Sequence, residues 1–222
     1  AAARPIGPDI SSPSRGLPGP GARVYTATAR TTRPMGVRRT GAREVPAPME
    51  VPLLVTDFFR RAARHYPTKL ALVDGPRRFS YRDLEARIDR FSNALLALGL
   101  VPGDRVCMLS PNSHFYFESF FATAQAGLVL VPLNYRLVAA DHEYILNHAG
   151  VRAVLVDAEY TELVDSLRAK LPKVEVWIVA TDDGPPPRGW LSWNDLVEDA
   201  APGRPALAKP LGENDLVSIN YT

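Results

Sequence analysis

The chain has 222 residues, 46% of them apolar, and a formal net charge of +2, which allows one or two domains with a sizeable core. The charge is unevenly placed: residues 1–48 hold eight arginines against Asp9 and Glu44, so the remainder is mildly acidic and gives no reason to expect a nucleic-acid partner. Cys107 is the single cysteine, which excludes an internal disulfide and fits a reducing, cytoplasmic setting, and no apolar run approaches the roughly 18 residues of a transmembrane segment.

Residues 1–48 contain eight prolines and six glycines. That density of breakers leaves no helical or strand period and too little apolar area to offset chain entropy, so a disordered Arg/Pro/Gly-rich tail is expected. Three readings stay open. The tail is an organelle transit peptide, poor in acids but lacking an amphipathic helix. It is a basic arm with widely spaced arginines. Or it is not a natural segment, and Met49, just before Glu50-Val-Pro-Leu-Leu54, is the initiator.

Ordered sequence is expected over 49–222. A helix spans 56–65, capped by Thr56 or Asp57, with Phe58, Phe59, Ala62 and Ala63 on its apolar face and Pro67 beyond its end. Leu70–Asp74 and Arg77–Ser80 form a hairpin across Gly75-Pro76. Ser80-Tyr-Arg-Asp83 has the pattern of a capping box. Leu84, Ile88, Phe91, Leu95 and Leu98 follow as one stripe of a long helix ending at Gly99, with Glu85, Arg87, Asp89 and Arg90 facing away. Arg105–Leu109 is a strand. Asn112 or Ser113 caps a helix from Phe115 to Ala126, and Leu128–Val131 is a strand apolar enough to be buried on both faces. Asp141 caps a helix over 142–149. A strand at Val151–Val156, a helix at Thr161–Lys170, a strand at Val174–Val179, and a short strand and helix over 190–201 follow. A Pro-rich connector leads to a short buried strand at 216–221, which delivers Thr222 at its carboxyl end. Alternating strands and helices predict an α/β fold with a largely parallel sheet. Ligands of such sheets sit beyond the carboxyl ends of the strands, here at Ser110–Ser113, Pro132–Leu137, Asp157–Tyr160 and Thr222.

Few residues carry chemistry by themselves. Cys107, between Val106 and Met108, reads as a core residue. The histidines at 65, 114, 142 and 148 show no metal-ligand spacing. Phe115, Tyr116, Phe117, Phe120 and Phe121 read as a wall of an apolar pocket or, more plainly, as a helix buried all round. Arg136 reads as a surface salt-bridge partner or an anion contact. No carboxylate pair, Ser-His-Asp grouping or complete glycine-rich loop is present.

Several stretches in order carry a resemblance: Phe79-Ser-Tyr-Arg-Asp-Leu84, Gly103-Asp-Arg-Val106, Ser110-Pro-Asn-Ser113, Ala124-Gln-Ala-Gly-Leu-Val-Leu-Val-Pro-Leu-Asn134 and Asp215-Leu-Val-Ser-Ile-Asn-Tyr-Thr222. Together they resemble the N-terminal portion of the adenylate-forming (AMP-binding) acyl-CoA synthetases. Pro132-Leu-Asn-Tyr-Arg136 is more similar to fatty acyl-CoA synthetases than to amino-acid adenylation domains. The resemblance implies a two-step ligase using ATP, Mg²⁺ and coenzyme A. A carboxylic acid, by this likeness a fatty acid, attacks the α-phosphate to give an acyl-adenylate, and a thiol then takes the acyl group. The family's phosphate loop begins Tyr-Thr-Ser-Gly-Thr-Thr-Gly, so Tyr221 and Thr222 match its first two positions and Thr222 is the one nucleotide-binding residue carried over. The rest of the family's catalytic and metal-binding set lies downstream of this match. The resemblance therefore implies that no catalytic or metal residue lies in this chain, and that the 222 residues alone are inactive. The competing expectations are a non-catalytic α/β binding or assembly module and a nucleotide-binding domain of another type.

Overall fold

In the computed structural model of the chain, residues 51–182 and 184–222 are described. The disorder expected of residues 1–48 and the reading of Met49 as a start lie outside the described residues. α1 (Val55–His65) precedes a hairpin of β1 (Leu70–Asp74) and β2 (Arg77–Ser80). Then come α2 (Tyr81–Ala97), β3 (Arg105–Leu109), α3 (His114–Gln125), β4 (Val129–Pro132), α4 (Ala139–Ala149) and β5 (Val151–Asp157). α5 (Thr161–Asp165), β6 (Val176–Ala180), β7 (Leu191–Ser192) and α6 (Trp193–Asp199) complete the order.

The five later strands form one parallel sheet in the order β4-β3-β5-β6-β7. Strand side chains alternate between its faces. Val106, Met108, Leu130, Leu155 and Ile178 join α1, α2, α3 and α6 in one core. Cys107, Leu109, Val131, Val154, Val156 and Val179 join α4, α5 and the segment after it in the other. The chain runs from β3 outward to β4 and returns past β3 to β5. Strand order therefore reverses between β3 and β5, and the loops leaving those two strands open a crevice at the carboxyl edge.

α2 forms as its sequence dictates. Ser80 Oγ accepts from the Asp83 N–H, and the Asp83 carboxylate accepts from the Ser80 N–H, closing both halves of the capping box. Leu84, Ile88, Phe91 and Leu95 are buried. Its polar side departs from expectation. Asp89 is buried, accepting from Gln125 Nε2 at 2.7 Å, and Arg87 makes a two-point pair with Glu118, which is itself fully buried. Two polar groups turn inward because α3 supplies a partner for each.

Other expectations are corrected. α1 starts one residue early, with Leu54 before it and no side-chain cap. Thr56 is buried on the inner face with Phe59 and Ala63, while Phe58 is 70% exposed. α4 begins at Ala139, so Asp141 lies in its first turn, where a carboxylate favours the helix dipole without capping it. The helix expected over 161–170 is five residues of α5 followed by a 3₁₀ turn at Arg168–Lys170. α3 is not buried all round, for Phe120 is 42% exposed. The terminal strand is reduced to a single parallel bridge between Ser218 and Leu130, and Leu216 and Val217 are exposed rather than buried.

Candidate functional site

Three of the four expected loops meet at the carboxyl edge. After β3, the Ser110 hydroxyl donates to the Pro111 carbonyl at 2.8 Å and stands 3.4 Å from the Asp157 carboxylate, which ends β5 across the strand-order reversal. Burial pushes the Asp157 carboxyl above the ordinary aspartate range, with the hydrogen bond from the Glu159 N–H as a smaller opposing effect. After β4, Asn134 Oδ1 accepts from the Arg136 N–H at 3.0 Å, the short-range bond that makes asparagine a turn former. Tyr135 reaches the Tyr160 ring at 6.2 Å. Burial and the Glu159 carboxylate push the Tyr160 phenol up to about 12.

The hairpin closes this edge from one side. Asp74 Oδ2 accepts from the His114 N–H at 2.9 Å and lies 2.6 Å from His114 Nδ1, so it caps α3 beside Ser113. The backbone hydrogen bond from His114 is the chief cause of a lowered Asp74 pKa. Asp74, Asn112, Ser113, Tyr116, Phe117 and Phe120 line a cleft of about 360 Å³ with Leu72 and Val73. The α3 aromatics thus divide between the core, where Phe115 is buried, and a cleft wall.

The terminal segment lies along the outer side of β4. The Leu130 N–H donates to the Val217 carbonyl at 3.0 Å, and the Ile219 N–H donates to the Leu130 carbonyl at 2.9 Å. Ile219 and Tyr221 pack against the core on the α4 side of the sheet. The segment runs parallel to β4, so it carries Thr222 toward the edge where the other loops end. Thr222 and Tyr221 line a second cleft, about 410 Å³, with Asn134, Leu137, Asp141, Tyr144 and Ile145.

The remaining sequence candidates separate cleanly. Cys107 is fully buried, and burial pushes its thiol up to about 12, which makes it inert. Arg136 makes no salt bridge among the described residues; its guanidinium lies 5.5 Å from the Tyr135 ring centroid. His142 is fully buried, and burial lowers its pKa, with the Asp141 carboxylate and the Leu137 backbone as smaller opposing effects. Among the described residues no group of three His, Cys, Asp or Glu is placed to hold a metal ion, and no helix is long and apolar enough to cross a membrane. One contact escaped sequence reasoning: His148 Nδ1 lies 2.7 Å from the Tyr221 hydroxyl. The partners are 73 residues apart, and no local spacing signals their meeting.

The pattern of a family described as AMP-binding enzyme matches residues 59–222. The chain belongs to this family. A fatty acid–[acyl-carrier-protein] ligase, ScoC, of Streptomyces coeruleorubidus is 38% identical over 114 residues, 51% of this chain and 22% of that protein. A feruloyl-CoA synthase of an Amycolatopsis species is 38% identical over 130 residues, 57% of this chain and 26% of that protein. The crystal structure of the anthranilate CoA ligase AuaEII with anthranoyl-AMP superposes with a TM-score of 0.72 at 29% identity, covering 78% of this chain and 33% of that one. The chain therefore spans between a fifth and a third of the length of these proteins. It corresponds to the N-terminal portion of adenylate-forming acyl- and aryl-CoA ligases, and its parallel α/β architecture is theirs.

Proposed function

We propose that residues 49–222 are the N-terminal part of the AMP-binding domain of an ATP-dependent acid–thiol ligase. The ligase activates a carboxylic acid as its acyl-adenylate and passes the acyl group to coenzyme A in the cytoplasm. One observation supports this best: the parallel pairing of residues 217–219 with Leu130, which sets Thr222 at the carboxyl edge of the sheet. A hydroxyl residue leaving such an edge opens a phosphate-binding loop when backbone N–H groups follow it. In this reading Thr222 contacts the nucleotide phosphates, and Tyr221 and the parallel pairing hold its backbone. Mg²⁺ accompanies the nucleotide and neutralises charge on its phosphates.

The chemistry that this edge serves is electrostatic. A carboxylate oxygen bonds to the α-phosphorus of ATP and pyrophosphate leaves, which turns a poor electrophile into a mixed anhydride. A thiolate sulfur then bonds to the acyl carbon and AMP leaves. Donors fixed before the reaction stabilise the charge that develops on the phosphoryl oxygens. The 222 residues supply scaffold and the opening of that loop, and they are inactive by themselves.

A fatty acid is the proposed substrate, on the likeness carried by Pro132-Leu-Asn-Tyr-Arg136. The relatives named for ferulate and anthranilate make aryl acids the direct competitor, and the ligase named for an acyl-carrier protein sets a carrier thiol against coenzyme A. The test is acid-dependent ATP–pyrophosphate exchange by the natural protein that contains this chain, with fatty acids of graded length and a set of aryl acids. Exchange with fatty acids is expected. Exchange with aryl acids alone replaces the substrate class, and no exchange with any acid overturns the ligase reading.

A further inference from the structure

The last seven residues have few anchors. Leu216 and Val217 are exposed, and the two backbone hydrogen bonds to Leu130 end at Ile219. Beyond Ile219 the path of the chain depends on side chains. Among the described residues Asn220 bonds only locally, through Nδ2 to Ser218 Oγ at 3.1 Å. Tyr221 is the remaining attachment, and what it attaches to is α4. Its ring meets the His148 ring edge-on, with centroids 5.8 Å apart, and its hydroxyl lies 2.7 Å from His148 Nδ1. His148 is steadied in turn by stacking on Tyr144, one helical turn earlier, at 5.4 Å. Both Tyr144 and Tyr221 line the cleft that Thr222 enters.

We propose that His148 is a positioning residue that fixes, through Tyr221, the backbone from which Thr222 leaves the sheet. The inference rests on the reading of Thr222 as the opening of a phosphate loop. It adds that α4, which that reading leaves as scaffold, sets where the loop begins. A neutral Nδ1 accepts from the phenol and a protonated one donates to it, so the attachment survives either state of the ring. The contact is exposed, and its removal is expected to spare the buried core of the sheet. What it changes is the freedom of two residues next to the reacting phosphates, where a small misplacement costs rate rather than binding of the acid.

The experiment has two arms. In the natural protein that contains this chain, His148→Ala is compared with wild type for acid-dependent pyrophosphate exchange. The expected result is a roughly three- to tenfold fall in kcat, the scale of one net hydrogen bond, with KM for the acid unchanged. Tyr221→Phe should give the same fall, and the double variant should add nothing to it. His148→Asn, whose Oδ1 can replace Nδ1 as acceptor but cannot stack on Tyr144, should recover most of the rate. In the second arm, hydrogen–deuterium exchange of the backbone amides at 219–222 is timed in the same natural protein without substrates, and His148→Ala should speed it. Wild-type kcat in His148→Ala, or additive losses in the double variant, overturns the positioning role. Equal amide-exchange rates overturn the attachment itself. Absence of pyrophosphate exchange in the wild type overturns the ligase reading and the positioning role with it, while the amide-exchange rates still decide whether His148 holds the segment.

Discussion

The two faces of the parallel sheet are built differently. On one, α2, α3 and α6 surround a ring cluster in which Phe91 stacks on Trp193 at 3.7 Å and Phe115 meets Trp193 edge-on at 5.4 Å. A buried polar network runs through it: Glu118 accepts from Arg87 and from Trp193 Nε1 at 3.1 Å. On the other, α4, the short α5 and the segment after it cover the strands, with the aliphatic side chains of Ile145, Leu146, Val164 and Leu167 packed in one cluster with Trp190. The first face is closed by its own helices. The second, thinner face is the one that Ile219 and Tyr221 join. Ile219 and Tyr221 of the terminal segment thus dock on the face covered by α4 and α5.

The sharpest way to break this contrast is to remove one anchor from each face. Trp193→Ala should lower unfolding free energy by about 3–5 kcal/mol, because it opens a cavity and takes a donor from the buried Glu118. Leu167→Ala, a buried aliphatic beside a 3₁₀ turn that can settle, should cost about 2–3 kcal/mol. Urea unfolding followed by tryptophan fluorescence and by circular dichroism measures both. Equal losses would show the thin face to be as tightly built as the other.

The same contrast governs what could be read in advance. α2 was legible because its signals are local: a capping box within four residues and a stripe at helical spacing. The order of strands and helices and the parallel sheet were legible for the same reason. Residues 161–170 misled. Val164, Leu167 and Leu171 have helical spacing and are buried, yet the backbone bonds from Leu167 to Val164 and from Lys170 to Leu167 span three residues, and the Ser166 hydroxyl bonds back to Leu163. Competition of that kind is settled by tertiary packing, which periodicity does not report. Asp89 and Arg87 were misplaced because their partners lie on α3. At the candidate site, the carboxyl-edge loops followed from topology, and Thr222 from a likeness to the family's phosphate loop. The His148–Tyr221 contact had no signal of either kind.

A smaller test sharpens the claim that α2, on the first face, is specified by local signals. Ser80→Ala removes one half of the α2 capping box and weakens the other, at a cost of about 1 kcal/mol. Ser80→Asp, which restores an N-cap acceptor but places it against the Asp83 carboxylate, should recover only part of this. Full recovery would mean that the reciprocal bond from the residue-80 N–H to the Asp83 carboxylate contributes nothing.

The contrast reaches the carboxyl edge in two aspartates of opposite behaviour. Asp74, held by two close hydrogen-bond contacts from α3 of the thick face, has its pKa lowered chiefly by the His114 N–H. Asp157, which leads toward the thin face, has only partners at 3.4 Å and is raised by burial. The signs follow from linkage. The fold favours ionised Asp74, so its contribution is present above the ordinary aspartate value of about 3.9 and is lost as pH falls through the lowered native pKa. The fold disfavours ionised Asp157, so stability is lost as pH rises from the ordinary value through the raised native pKa. Thermal unfolding should therefore show Asp74→Asn less stable than wild type at pH 7, with the deficit shrinking as the solution is acidified. Asp157→Asn should be more stable than wild type at pH 7, with the gain vanishing near pH ~3.5, where the ordinary and raised carboxyls are both mostly protonated. If both variants shift in the same direction at pH 7, the two loops are equally well satisfied, and the difference between the faces stops at the core.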